Sequence, residues 1–153
     1  MTPRQGLGEL GEKLVAKECS CPRCKRDKTL TRLPANFKCA DLICDFCGYL
    51  AQVKATKQSD HERVPRQIPG AAWSVQKERM DAGIYFPLFL VVVNKDDPRA
   101  YSIFYLAADL QTSEMFKPRR PLSKTAKRAG WQGFMYDLTS VQSSFVRLRW
   151  LHK

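Results

Sequence analysis

Long apolar runs are missing from this sequence of 153 residues. The longest, Phe86 to Val93, spans eight residues, far short of the roughly 20 needed to cross a bilayer as a helix. The N-terminal MTPRQG has no apolar core of the kind that marks a secretory signal. A cytoplasmic protein with reduced thiols is therefore expected, and its cysteines read as metal ligands before disulfides. Histidine is scarce, with only His61 and His152, so Ser-His-Asp chemistry finds no support. Acid is also in short supply: 15 Asp and Glu stand against 26 Lys and Arg, a net charge of +11. That balance points to a polyanionic partner, most simply nucleic acid, and not to a membrane. Repeats, low-complexity tracts and linkers are absent. The chain is expected to fold as one domain, residues 1–153, long enough to bury roughly 68–70% of its unfolded surface.

Cysteine is the exception to this scarcity. Six are present, and four form two CxxC pairs, Cys21/Cys24 and Cys44/Cys47, with 19 residues between Cys24 and Cys44. Two paired thiols offer four soft ligands, enough to close a tetrahedral zinc site with no position left for solvent. Such a closed site is structural and contributes to folding. Cys19 and Cys39 remain; Cys39 is a substitute ligand without a CxxC partner. The zinc-binding insert spans about residues 19–48.

A second chemistry overlaps the first. Residues 49–55, YLAQVKA, alternate as a strand, with Tyr49, Ala51, Val53 and Ala55 on one face and Leu50, Gln52 and Lys54 on the other. Gln52 and Lys54 thus point the same way. Asp41 lies in the preceding, mostly apolar run, residues 37–43. If that run is a strand antiparallel to 49–55, it brings Asp41 beside Gln52. An oxygen pair with an adjacent lysine suits Mg2+ and an activated water. Taken alone, the pattern D…QxK is a weak signal and reads first as a solvated strand face.

The run ADLICDFCGYLAQVKATK, with CPRC at 21–24 upstream and PLSKTAKRAGWQGFMYDL at 121–138, resembles the catalytic domain of the DpnI-type, or Dam-replacing, restriction endonucleases of the PD-(D/E)xK superfamily. The likeness covers about residues 7–141. It implies a Mg2+-dependent DNA endonuclease with a structural zinc. Asp41 then stands for the metal carboxylate, Gln52 for the family's glutamate, and Lys54 for the catalytic lysine. Glu12, on the first helix, stands where the wider superfamily often has an extra metal-side acid. The backbone carbonyl of Val53 adds a metal ligand. The departure is Gln52, a QxK variant with one negative charge fewer; a carboxamide oxygen still ligates Mg2+. The alternative is a zinc-containing DNA-binding module with a degenerate, inactive nuclease core. An RNA-directed nuclease shares the same site residues. The resembling enzymes continue into a winged-helix module for which no room remains before Lys153, so DNA reading is expected within this domain, by a monomer or a homodimer on double-stranded DNA.

The rest of the chain supplies the scaffold. Residues 6–18 predict a helix with a Leu7, Leu10, Leu14 stripe, ended before Cys21-Pro22. Residues 25–36 read as a basic loop between the knuckles, suited to phosphate, and 57–70 as a mixed-charge loop in which His61 is a candidate base or DNA contact, or simply solvated. Residues 71–82 predict a helix; 86–94, 101–107 and 145–151 predict strands, the first at the sheet centre. Residues 117–128 carry six basic side chains and no acid. Arg119, Arg120, Lys124, Lys127 and Arg128 are the candidate DNA contacts there, followed by Trp131 as packing or base stacking. The expected class is α/β: a mixed central sheet flanked by helices, with the four-cysteine insert.

Overall fold

The computed structural model describes residues 2–37 and 39–151. His152 and Lys38, the latter part of the run 37–43, lie outside the described residues. The class is the expected one, mixed α/β with a mixed central sheet flanked by helices. The chain divides into two compact units, one of residues 1–64, 86–108 and 145–153, the other of 65–85 and 109–144.

The first unit holds the helix α1 (Pro3–Glu18) and strands β1 (Leu30–Arg32), β2 (Leu42–Cys44), β3 (Leu50–Gln58), β5 (Leu88–Asn94), β6 (Tyr101–Leu106) and β9 (Val146–Leu151). The strands lie in the order β1-β2-β3-β5-β6-β9, with β3 and β5 parallel and every other pairing antiparallel. β5 is buried from Leu88 through Val93 and sits inside the sheet, as its unbroken apolar run predicts. A parallel pair cannot be joined by a tight turn. The chain between β3 and β5 accordingly runs through β4 (Gln67–Ala72) and the helix α2 (Trp73–Asp81). These two, with β7 (Phe116–Pro118) and β8 (Gly133–Asp137) in a β4-β8-β7 sheet, form the second unit. Its core is the ring cluster Phe116, Phe134 and Tyr136, with centroids 5.1–5.9 Å apart.

Helix α1 starts at Pro3, three residues before the expected start. Thr2 caps it: Oγ1 accepts the Gln5 N–H (3.1 Å), while Gln5 Oε1 accepts the Thr2 N–H (2.9 Å). This is a capping box with proline at the first helical position. α1 packs on β3, and Gly11 makes the close approach possible; a Cβ there would lie 2.9 Å from the Ala55 Cβ.

Other boundaries also move. The run 37–43 is not a strand throughout. Pro34 starts a turn closed by the Phe37 N–H on the Pro34 carbonyl (2.9 Å), and within the run only Leu42 and Ile43 pair with β3. The stretch 57–70 is a loop only in its middle, because β3 runs on to Gln58 and β4 begins at Gln67. Pro69 tolerates strand geometry because β4 is an edge strand, with an irregularity between Pro69 and Ala72. The basic stretch 25–36 contains β1. His61, read as a base, a DNA contact or a solvated side chain, is buried, its Nδ1 3.3 Å from Asn94 Nδ2.

Candidate functional site

Two sites meet in the first unit, a thiol cluster and an acidic cleft. The thiols of Cys21, Cys24, Cys44 and Cys47 lie within 4.8 Å of one another. The Cys21–Cys47 and Cys24–Cys44 sulfurs are 3.6 and 3.7 Å apart. Disulfide sulfurs sit about 2.05 Å apart, so these are not bonded. Zinc–sulfur bonds of about 2.3 Å at tetrahedral angles set sulfurs about 3.8 Å apart. The donor set and its spacing are compatible with zinc.

The local backbone builds the cluster. Each CxxC turns back on itself: the Lys25 N–H donates to the Cys21 carbonyl (2.9 Å), the Gly48 N–H to the Cys44 carbonyl (2.8 Å). Gly48 sits at φ +79°, where a side chain is strained. Thr29 Oγ1 lies 3.2 Å from Cys44 Sγ, and the Cys47 N–H donates to the same sulfur (3.5 Å). Burial pushes the Cys44 thiol up, but the Thr29 hydroxyl and these backbone donors outweigh it and hold the thiol down at about 6. The thiolate is the ligating form. The two remaining cysteines lie outside the cluster. Cys19 is buried at the end of α1, and burial pushes its thiol up to about 12, the behaviour of an inert core residue. Cys39, weighed as a substitute ligand, instead offers its carbonyl to Gln52 Nε2 (3.3 Å).

The acidic cleft encloses about 600 Å3 and is lined by Glu9, Glu12, Arg32 and Asp41 among others. Asp41 stands one residue before β2 and is tied to β3 twice. Its N–H donates to the Ala51 carbonyl (3.0 Å), and its Oδ2 accepts the Val53 N–H (2.8 Å). Along a strand, consecutive residues turn their N–H and C=O to opposite edges. Gln52 donates toward β5, to the Pro87 carbonyl (2.9 Å), so Val53 turns its backbone groups to the Asp41 edge while its side chain is buried.

Electrostatics couple these groups. Burial and the charge of Asp41 push the Glu12 carboxyl up, partly offset by the Arg32 guanidinium, whose Nε lies 3.3 Å from Glu12 Oε1. Arg32 also reaches Glu9, at 3.7 Å. Burial lowers the Lys54 ammonium, and Asp41 pulls it partly back up. Asp41 is thus the common neighbour of Glu12 and Lys54. Two mutually opposed carboxylates are a donor set compatible with a hard divalent cation such as Mg2+. Gln52 and Lys54 share the face of β3 that strand alternation assigns them.

Arg119, Arg120, Lys124, Lys127 and Arg128 are all exposed on the connection between β7 and β8, in the second unit. That connection doubles back on itself, through the Arg119 N–H on the Gly133 carbonyl (3.0 Å) and the Leu122 N–H on the Trp131 carbonyl (2.8 Å). The Arg128 guanidinium lies 4.4 Å above the half-buried Trp131 ring. The structure adds Arg32 to the site residues. Its signal in the sequence was slight, since it falls within a basic stretch of like residues.

The DpnI, Dam-replacing, family profile matches residues 4–148. The chain belongs to the Dam-replacing family. Membership implies a restriction-type DNA endonuclease, a hydrolase with DNA as its substrate. Both the thiol cluster and the acidic cleft lie inside the span matched to the Dam-replacing family.

Two predictions follow from this geometry. Purified protein is expected to carry one zinc per chain by elemental analysis, and Cys44→Ser to lose it; full zinc retention in that variant contradicts the four-thiol site. Glu12 has its carboxyl raised, so its ionised form is less stable in the fold than in the unfolded chain. The penalty is present above the raised value and vanishes below the ordinary carboxylate range. Glu12→Gln is therefore expected to match or exceed the parent Tm at pH 7, the advantage fading as pH falls toward 4. A Tm several degrees below the parent at pH 7 contradicts that repulsion.

Proposed function

We propose that this chain is a Mg2+-dependent DNA endonuclease, a single nuclease domain over residues 1–153 with a structural zinc held by Cys21, Cys24, Cys44 and Cys47. The observation that carries the reading is Asp41, whose carboxylate is fixed by the Val53 N–H (2.8 Å) and shares one cleft with Glu12. Asp41, Glu12, the Gln52 side-chain oxygen and the Val53 carbonyl are the proposed magnesium ligands. The cation supplies charge that polarises the scissile phosphate and acidifies water.

The chain's own residues do the rest. Asp41 holds its place through two backbone bonds and so arrives preorganised. Lys54, whose burial eases loss of its proton, orients or deprotonates the attacking water; as the new P–O bond forms, the bond to the leaving oxygen breaks and that oxygen takes its proton from solvent. In its charged form it stabilises the negative charge that builds on the phosphate. Arg119, Arg120, Lys124, Lys127 and Arg128 are proposed to bind phosphates and base edges of double-stranded DNA, and to carry the site preference.

Gln52 favours a second reading. It brings no charge to the site, and its amide nitrogen is committed to the Cys39 carbonyl. A zinc-containing DNA-binding module that does not cut is the outcome if that missing charge decides. Lys54→Ala separates the two. Cleavage is expected to fall by about 10²–10⁴-fold while duplex affinity stays near that of the parent, since binding is spread over many phosphates. Parental cutting by Lys54→Ala contradicts the proposed site. A parent that binds DNA but never cuts with Mg2+ selects the binding module.

A further inference from the structure

The tip of the second knuckle presents an aromatic ring to solvent. Phe46, between the cluster residues Cys44 and Cys47, is 60% exposed, the most exposed large hydrophobic among the described residues. The guanidinium of Arg26, from the first knuckle, lies 3.7 Å above the Phe46 ring centroid. Arg23, Lys25, Arg26 and Lys28 are all exposed on the same knuckle. The two nearby acids are engaged by hydroxyls, Asp27 by Ser20 and Asp45 by Thr31.

This surface is built rather than floppy. Lys25 and Lys28 hold left-handed backbone conformations, at φ 66° and 60°, which non-glycine residues adopt at a cost. The Cys21 N–H donates to the Arg26 carbonyl (3.0 Å), and the Asp45 N–H crosses to the Thr29 carbonyl (2.8 Å). Ring and guanidinium therefore stand on backbone fixed by turns and by the thiol cluster. An apolar ring left in water on such a rigid mount costs free energy that a partner recovers. Charge decides the partner: Arg26 over the ring, with Arg23 (over Tyr49, 5.1 Å), Lys25 and Lys28 exposed on the same knuckle, fits a polyanion whose bases offer flat apolar faces.

We propose that the knuckle tip is a second DNA contact, in which Arg23, Lys25, Arg26 and Lys28 meet backbone phosphates and Phe46 enters a base step of duplex DNA as an apolar wedge. The proposal rests on the endonuclease reading for its substrate, but not on the catalytic residues. Phenylalanine offers no hydrogen bond, so the contact adds affinity and DNA distortion, not sequence choice. The tip also connects directly to the cleft. Thr29, whose carbonyl takes the Asp45 N–H beside Phe46, leads into the three-residue β1, which ends at Arg32 on the cleft wall, about 10 Å along the strand at about 3.3 Å per residue.

The test uses zinc-loaded protein without added divalent cation, and a duplex carrying 2-aminopurine, whose fluorescence rises on unstacking. The parent is expected to bind and to raise that fluorescence. Phe46→Ala is expected to lose the fluorescence rise and to bind about tenfold more weakly, with zinc content unchanged. Phe46→Trp restores both. Arg26→Ala lowers the slope of log affinity against log salt by about 0.9. If Phe46→Ala and Arg26→Ala hold their zinc and match the parent in affinity, salt slope and fluorescence, the wedge is overturned while the endonuclease reading stands. If the parent binds no DNA, the wedge and the DNA-directed function fall together, a result distinct from the first.

Discussion

The acidic cleft depends on how one loop end is fastened to one strand. Asp41 gives its N–H to Ala51 and takes the N–H of Val53 on its carboxylate. These two bonds set where the carboxylate lies relative to Glu12 on α1 and Lys54 on β3. A buried strand N–H left without a partner costs about 1–3 kcal/mol; here the carboxylate satisfies the one at Val53, ahead of the start of β2 at Leu42. The same residue thus completes the sheet edge and supplies charge to the cleft, and neither role can shift without the other.

The thiol cluster stands behind that arrangement. Cys44 lies three residues after Asp41, at the end of the three-residue β2. A strand so short has little cooperative stability of its own. Tying one end to four thiols and the other to β3 leaves Asp41 few alternative positions. On this account the metal proposed for the cluster acts on catalysis only through backbone, by restricting the Asp41 loop. Arg32 completes the picture from the other side: its guanidinium bridges Glu9 and Glu12 and offsets some of the repulsion that burial and Asp41 impose.

Much of this was legible in the sequence because its signals are local or strictly periodic. The double CxxC spacing foretold the cluster. Period-two alternation put Gln52 and Lys54 on one face, and an unbroken apolar run put β5 inside the sheet. What was missed depends on distant partners. β1 is a three-residue strand of Leu, Thr and Arg that exists because β2 pairs with it. β4 contains Pro69 and Gly70, which argue against a strand until its edge position in the second unit is known. The early start of α1 was legible, in Thr2, Pro3 and Gln5, but a reading from the leucine stripe alone passes over caps. The division into two units left no mark in composition, since both are built from chain segments that return after long excursions.

The central claim is that Asp41 organises a Mg2+-dependent cutting site. It is tested most directly by titrating Mg2+ into zinc-loaded protein with supercoiled plasmid, with Asp41→Asn in parallel and the zinc content of both determined. The account predicts cutting by the parent only when Mg2+ is present, and background cutting by Asp41→Asn with its zinc intact. Cutting without added divalent cation, or Asp41→Asn cutting at the parental rate, would contradict it.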